Sequence, residues 1–124
     1  MPQPVNREIT VFSSAARTAS ENSADLSNPY ARGAVIVIDV TAVTATPSVV
    51  FTVKGKSALG SDYYTILASA AITATGQTVL RIYPGRTASA NVTASDVLPA
   101  TWRVEAVHGD TDSITYSVSA NLIM

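Results

Sequence analysis

Cysteine is absent from the 124 residues, so disulfides and thiolate metal sites are excluded. Charge is also scarce: charged residues make up 14% of the chain and the net charge is −1. That leaves no basic excess to meet a phosphate backbone, and nucleic acid is not an expected partner. No uninterrupted apolar run approaches the ~18 residues that a membrane-spanning helix requires. The opening MPQPVNREITVF has neither a basic segment nor a long apolar core, so it is not read as an export signal. A soluble protein with no membrane partner is expected. Lys and Glu, which surface helices need, are few, and no amphipathic helical period lasts beyond one turn.

Ala, Ser, Thr and Val instead supply about half of the residues. Val and Thr favour pleated surfaces, and the small residues lose little side-chain entropy when ordered. The pattern along the chain agrees. Ile114, Tyr116, Val118, Ala120 and Leu122 alternate with polar residues, as do Trp102, Val104 and Ala106. Each run reads as a strand with one buried face. Gly109-Asp110-Thr111-Asp112 lies between them, so the pair is expected to form a β-hairpin with a loop of three or five residues. Trp102 is the only tryptophan and the natural anchor of a core.

Upstream, Ala34 to Val43 is apolar on both faces apart from Asp39 and Thr41, which predicts a central strand. Ser48–Lys54 alternates with Val49, Phe51 and Val53 inward. Further strands are expected over Tyr63–Ser69 and Thr78–Tyr83, whereas Ala70–Gln77 fits a brief strand or a turn equally well. Tyr83-Pro84-Gly85-Arg86 has the chemistry of a type II turn. Thr87–Leu98 is polar and is expected to cross between sheets. About seven or eight strands with regular turns predict an all-β, antiparallel two-sheet β-sandwich, Ig-like or jelly-roll-like, over residues 33–124.

Residues 1–32 are different in kind: a short strand around Glu8–Phe12, then a polar stretch ending at Asn28-Pro29. They are expected either to be a disordered tail or a loosely attached edge strand, or to form an extended N-terminal arm that grips a neighbour. The arm alternative makes Ile9, Val11, Phe12, Arg17 and Tyr30 the candidate partner-binding residues.

Chemistry is harder to find. His108 is the only histidine, and no nucleophile motif accompanies it. One imidazole without thiols is a poor zinc site. Asp110-Thr111-Asp112 lacks the further spaced acids of a calcium loop, so a turn is the better reading. Asn91-Val92-Thr93 matches the glycosylation sequon by composition alone. No catalytic residue, metal or cofactor is expected, and the chain is not read as an enzyme.

Longer stretches carry a resemblance. Ser14-Ala-Ala-Arg-Thr-Ala-Ser20, Asn22-Ser-Ala-Asp-Leu-Ser-Asn-Pro29 and Ala31-Arg-Gly-Ala-Val-Ile-Val-Ile-Asp-Val-Thr41 resemble a family of small structural proteins of tailed phages. So do Tyr63-Tyr-Thr-Ile-Leu67, Leu80-Arg-Ile-Tyr-Pro-Gly85, Leu98-Pro99, Thr101-Trp-Arg-Val104 and Ile114-Thr-Tyr-Ser-Val118. Lys56-Ser-Ala-Leu-Gly-Ser-Asp62 departs from the Gly-Lys-Asp-Pro type of loop associated with the family. The similarity spans roughly residues 10 to 122. It implies a capsid decoration or minor capsid protein, with the major capsid protein and further copies of itself as partners. It also implies a place on the virion exterior after assembly in the host cytoplasm. A tail-tube, tail-tip or connector component is the alternative, as is a carbohydrate- or receptor-binding sandwich using exposed aromatics such as Tyr30, Tyr63 or Trp102.

Overall fold

A computed structural model describes residues 6–124. Ten strands follow one another: β1 (Arg7–Arg17), β2 (Glu21–Asn22), β3 (Leu26–Ser27), β4 (Gly33–Val43), β5 (Val49–Lys56), β6 (Tyr63–Ala68), β7 (Gly76–Ile82), β8 (Thr93–Ala94), β9 (Thr101–His108) and β10 (Ile114–Ile123). They form two five-stranded sheets. Sheet A has the order β1-β10-β4-β7-β8; sheet B has the order β2-β9-β5-β6, with β3 also on β9. All pairings are antiparallel except β7 with the short β8. The result is an all-β sandwich, and no helix occurs among the described residues.

Period-two alternation puts one face of every long strand into the space between the sheets. Sheet A contributes Ile36, Ile38, Leu80, Ile82, Tyr116, Val118 and Leu122; sheet B contributes Val49, Phe51, Val53, Trp102 and Val104. Phe51 meets Tyr116 edge-on across the gap, with ring centroids 4.9 Å apart. This is one of the arrangements that aromatic quadrupoles favour. Strands are found where β4, β5, β6 and β7 were expected, to within two residues at their ends, and Val49, Phe51 and Val53 of β5 face inward as expected. Gly85 has φ 87°, as its type II turn requires.

The expected hairpin is not found. β9 lies in sheet B beside β5, and β10 lies in sheet A between β1 and β4. Residues 109–113 arch from one sheet to the other, so the two strands face each other across the core instead of pairing side by side. Alternation specified the buried face of each strand correctly. Packing those two apolar faces against one another buries both without any ladder between them, and a five-residue loop suffices for the crossing.

Of the alternatives for residues 1–32, the described part takes the edge-strand one and not the extended arm. Residues 7–17 form the edge strand of sheet A against β10, and residues 21–27 pair with β9 in sheet B. The sandwich therefore begins at β1 and not at residue 33. Phe12, with Ile9 and Val11 beside it, has an apolar surface to cover in its own domain, so these residues fold back onto it. Residues 1–5 of the expected arm lie outside the described residues.

Candidate functional site

Of the five residues assigned to partner binding, the fold brings four into its own body. Phe12 is buried, and Ile9 and Val11 are partly buried against the core. Arg17 has a side chain only 11% exposed. Its guanidinium lies over the Tyr116 ring at 4.5 Å and near Phe12 at 5.2 Å. It donates to the carbonyls of Ser13, Ala15 and Tyr116 and to the Glu21 carboxylate. A planar fork with five donors can do all of this at once. Only Tyr30, 67% exposed, remains available to a partner.

His108 sits at the end of β9 beside this cluster. Its Nε2 is 3.2 Å from the Tyr116 hydroxyl, and Nδ1 is buried with no hydrogen-bond partner among the described residues. Burial lowers the His108 pKa from its ordinary 6.5; Arg17 adds to this and Asp110 opposes it. Burial also pushes the Tyr116 phenol up to about 12, with Arg17 acting the other way. The histidine and phenol are thus both held neutral near pH 7, under the protein's own side chains. Asp110 and Asp112 brace turns: Asp112 N donates to Asp110 Oδ1, and Asp112 Oδ2 accepts from Thr46 N and Oγ1. Among the described residues no group of three or more His, Asp or Glu is placed to hold a metal.

The outer face of sheet B carries a continuous band of charge. Lys54 and Arg103 both pair with Glu105, at 3.2 and 2.6 Å. The Arg103 guanidinium also stacks on Tyr63, 3.6 Å from the ring centroid. Tyr63 in turn donates its hydroxyl to Asp25 Oδ1 at 2.7 Å, and Lys56 donates to Asp25 Oδ2 at 2.8 Å. Burial pushes the Glu105 pKa up, but the hydrogen bonds from Arg103 and Lys54 outweigh it and hold the group below its ordinary value. The bonds from Lys56 and Tyr63 lower Asp25 likewise. Every charge in the band has an opposite neighbour, with Glu105 shared between Lys54 and Arg103.

Four of the six large exposed apolar side chains among the described residues lie at one end of the sandwich, where β3 turns into β4, β5 into β6, and β8 into β9; Val92 and Val107 are the other two. Tyr30, the fully exposed Leu59, and the half-exposed Tyr64 and Val97 all project there. These loops are held. Asn28, itself buried, donates from Nδ2 to the carbonyls of Ala31 and Leu98, and its Oδ1 accepts from Ala31 N. Backbone bonds from Asn28 N to Ala100 O and from Leu98 N to Arg32 O join the same two loops. The tip of the Tyr64 ring and Pro99 cover Gly55 so closely that a Cβ on Gly55 would clash with both. Beside them opens a cleft of about 720 Å³ between Lys56, Tyr64, Asp25 and Thr101.

The sequence pointed to Tyr30 but not to Leu59 or Val97. An apolar residue inside a Gly-bounded loop was the available signal for Leu59. The joining of three loops at one end depends on contacts between residues as far apart as Asn28 and Leu98, which no local pattern encodes. No protein-family model matches the chain, and no curated protein matches its sequence.

Proposed function

We propose that the chain is a structural protein of a tailed double-stranded DNA phage particle, seated on the outside of the capsid and stabilising it. The phage assignment rests on the resemblance of the segments between residues 10 and 122. The observation that carries a role in being held in place is the pair Tyr30 and Val97 on loops fastened by Asn28, with Leu59 and Tyr64 exposed at the same end. Exposed apolar groups on a stiff support bind with little ordering cost. Weak contacts of this kind, repeated around a shell, give high avidity. The outer edges of β1 and β6 offer further backbone groups to a neighbour's sheet. The major capsid protein is the proposed partner at this end.

Removing residues 1–30 would delete three strands, so point variants give the cleaner test. Leu59→Asp combined with Tyr30→Ser is expected to abolish co-sedimentation with capsids while leaving thermal unfolding unchanged. Undiminished co-sedimentation would refute contact through this end. The cleft beside Tyr64, with its mutually neutralised Asp25 and Lys56, favours one second reading, a module for uncharged sugars. Glycan binding by the isolated protein, abolished by Tyr64→Ala, would support that reading over the capsid one.

A further inference from the structure

The two outer faces of the sandwich differ in one respect. On sheet B each charge has an opposite neighbour within the chain, whereas on sheet A Asp39 and Arg81, with Glu8 out on the edge strand, make no ion pair among the described residues. The Asp39 and Arg81 side chains point outward, because their neighbours Ile38, Val40, Leu80 and Ile82 fill the core. The register places them. Val37 lies opposite Val79, Val35 opposite Arg81, and Asp39 opposite Gln77. Between the two charges lies a pair of partly buried valines. Arg81 lies two residues to one side of it, and Asp39 lies two residues to the other side on the adjacent strand. At ~3.4 Å per residue each charge is ~7 Å from the central pair along the strands. No other layer covers this face among the described residues.

We infer that this face is where two copies of the chain meet, related by a twofold axis that crosses the strands at right angles above Val37 and Val79. Such an axis reverses strand direction. It brings the valine pair of one copy onto that of the other and carries Arg81 over Gln77 of the second copy, beside that copy's Asp39. The same contact forms twice, as an isologous interface demands. A second copy of the chain fits because it presents the same two charges in the reversed order. A lipid surface or a nucleic acid, with one sign of charge throughout, would leave Asp39 unmatched. The size is adequate. Four strands ~4.8 Å apart and about ten residues long present roughly 650 Å², close to the ~800 Å² per partner of a standard interface.

The inference stands apart from the capsid reading, since it concerns the purified chain alone. Sedimentation equilibrium of the full chain is expected to show a dimer. Arg81→Asp and Asp39→Arg, each alone, put like charges together and are expected to weaken it by about tenfold or more. The doubly exchanged variant, Asp39→Arg with Arg81→Asp, restores opposite neighbours and is expected to return to within about threefold of the parent. Because both residues are outside the core, circular dichroism should show all three variants folded. A parent chain that stays monomeric to millimolar concentration overturns the inference. So do single variants that dimerise normally, or a double variant no better than the weaker single one.

Discussion

The Nη1 of Arg17 donates to the carbonyl of Tyr116, 99 residues further along the chain, at 2.9 Å, while the same guanidinium covers the Tyr116 ring. One side chain thus joins the backbone and the ring of β10 to the end of the edge strand β1. Through Glu21 it also reaches the start of sheet B. Arg17→Ala is expected to cost about 2–4 kcal/mol, combining lost charge-assisted bonds with a lost cation–π contact. Arg17→Lys keeps the charge but cannot serve several carbonyls, and should cost about half as much. Urea unfolding measures both. Parent-like midpoints would mean that β1 is held by its ladder alone.

Trp102 is fully buried, and its indole N–H has no partner among the described residues. Trp102→Ala is expected to lose about 3–5 kcal/mol, from lost burial and the cavity left behind. Trp102→Phe sheds the unsatisfied donor along with some apolar area, and should cost no more than about 1–2 kcal/mol. Chemical denaturation of the pair gives the comparison; equal losses would show that the N–H carries no penalty.

Asn28 holds two loops with both ends of its amide. Asn28→Ala leaves buried carbonyls short of a donor and is expected to cost about 1–3 kcal/mol. Asn28→Asp should be worse at neutral pH, since a carboxylate would face the carbonyl oxygens of Ala31 and Leu98. Protonating it returns one donor, so the gap between these variants should narrow below about pH 4. Thermal melts at pH 7 and pH 3.5 test the ordering.

Acid is expected to destabilise the protein in two stages. His108 binds its proton less readily when folded than its ordinary 6.5, so below about that pH the unfolded chain takes up more protons. Its contribution is whole above 6.5 and is lost as pH falls through the folded value. Asp25 and Glu105 are lowered from 3.8 and 4.5, so theirs is whole above those values and is lost further into acid. At the alkaline end, Tyr116 keeps its proton to about pH 12 when folded but releases it near 10 when unfolded, so stability falls across that interval. Melting temperature measured against pH should show these stages, and His108→Gln should flatten only the first. A variant curve with the parent's slope between pH 7 and 5.5 would assign that stage to another group.

The sequence by itself determined the long strands β4 to β7, β9 and β10, and for those that alternate the side that is buried, because a period of two is written in consecutive residues. Val49, Phe51 and Val53, or Tyr116, Val118 and Leu122, declare their face without reference to anything distant. Which strand lies beside which was decided only by the tertiary structure. Backbone donors and acceptors are the same on every strand, so nothing local told β9 to pair with β5 instead of β10, or β1 to close the edge of sheet A. Arg17 and Asn28 illustrate the same limit: each looked like part of a polar, unattached segment until the fold set carbonyls and rings from the far end of the chain within its reach.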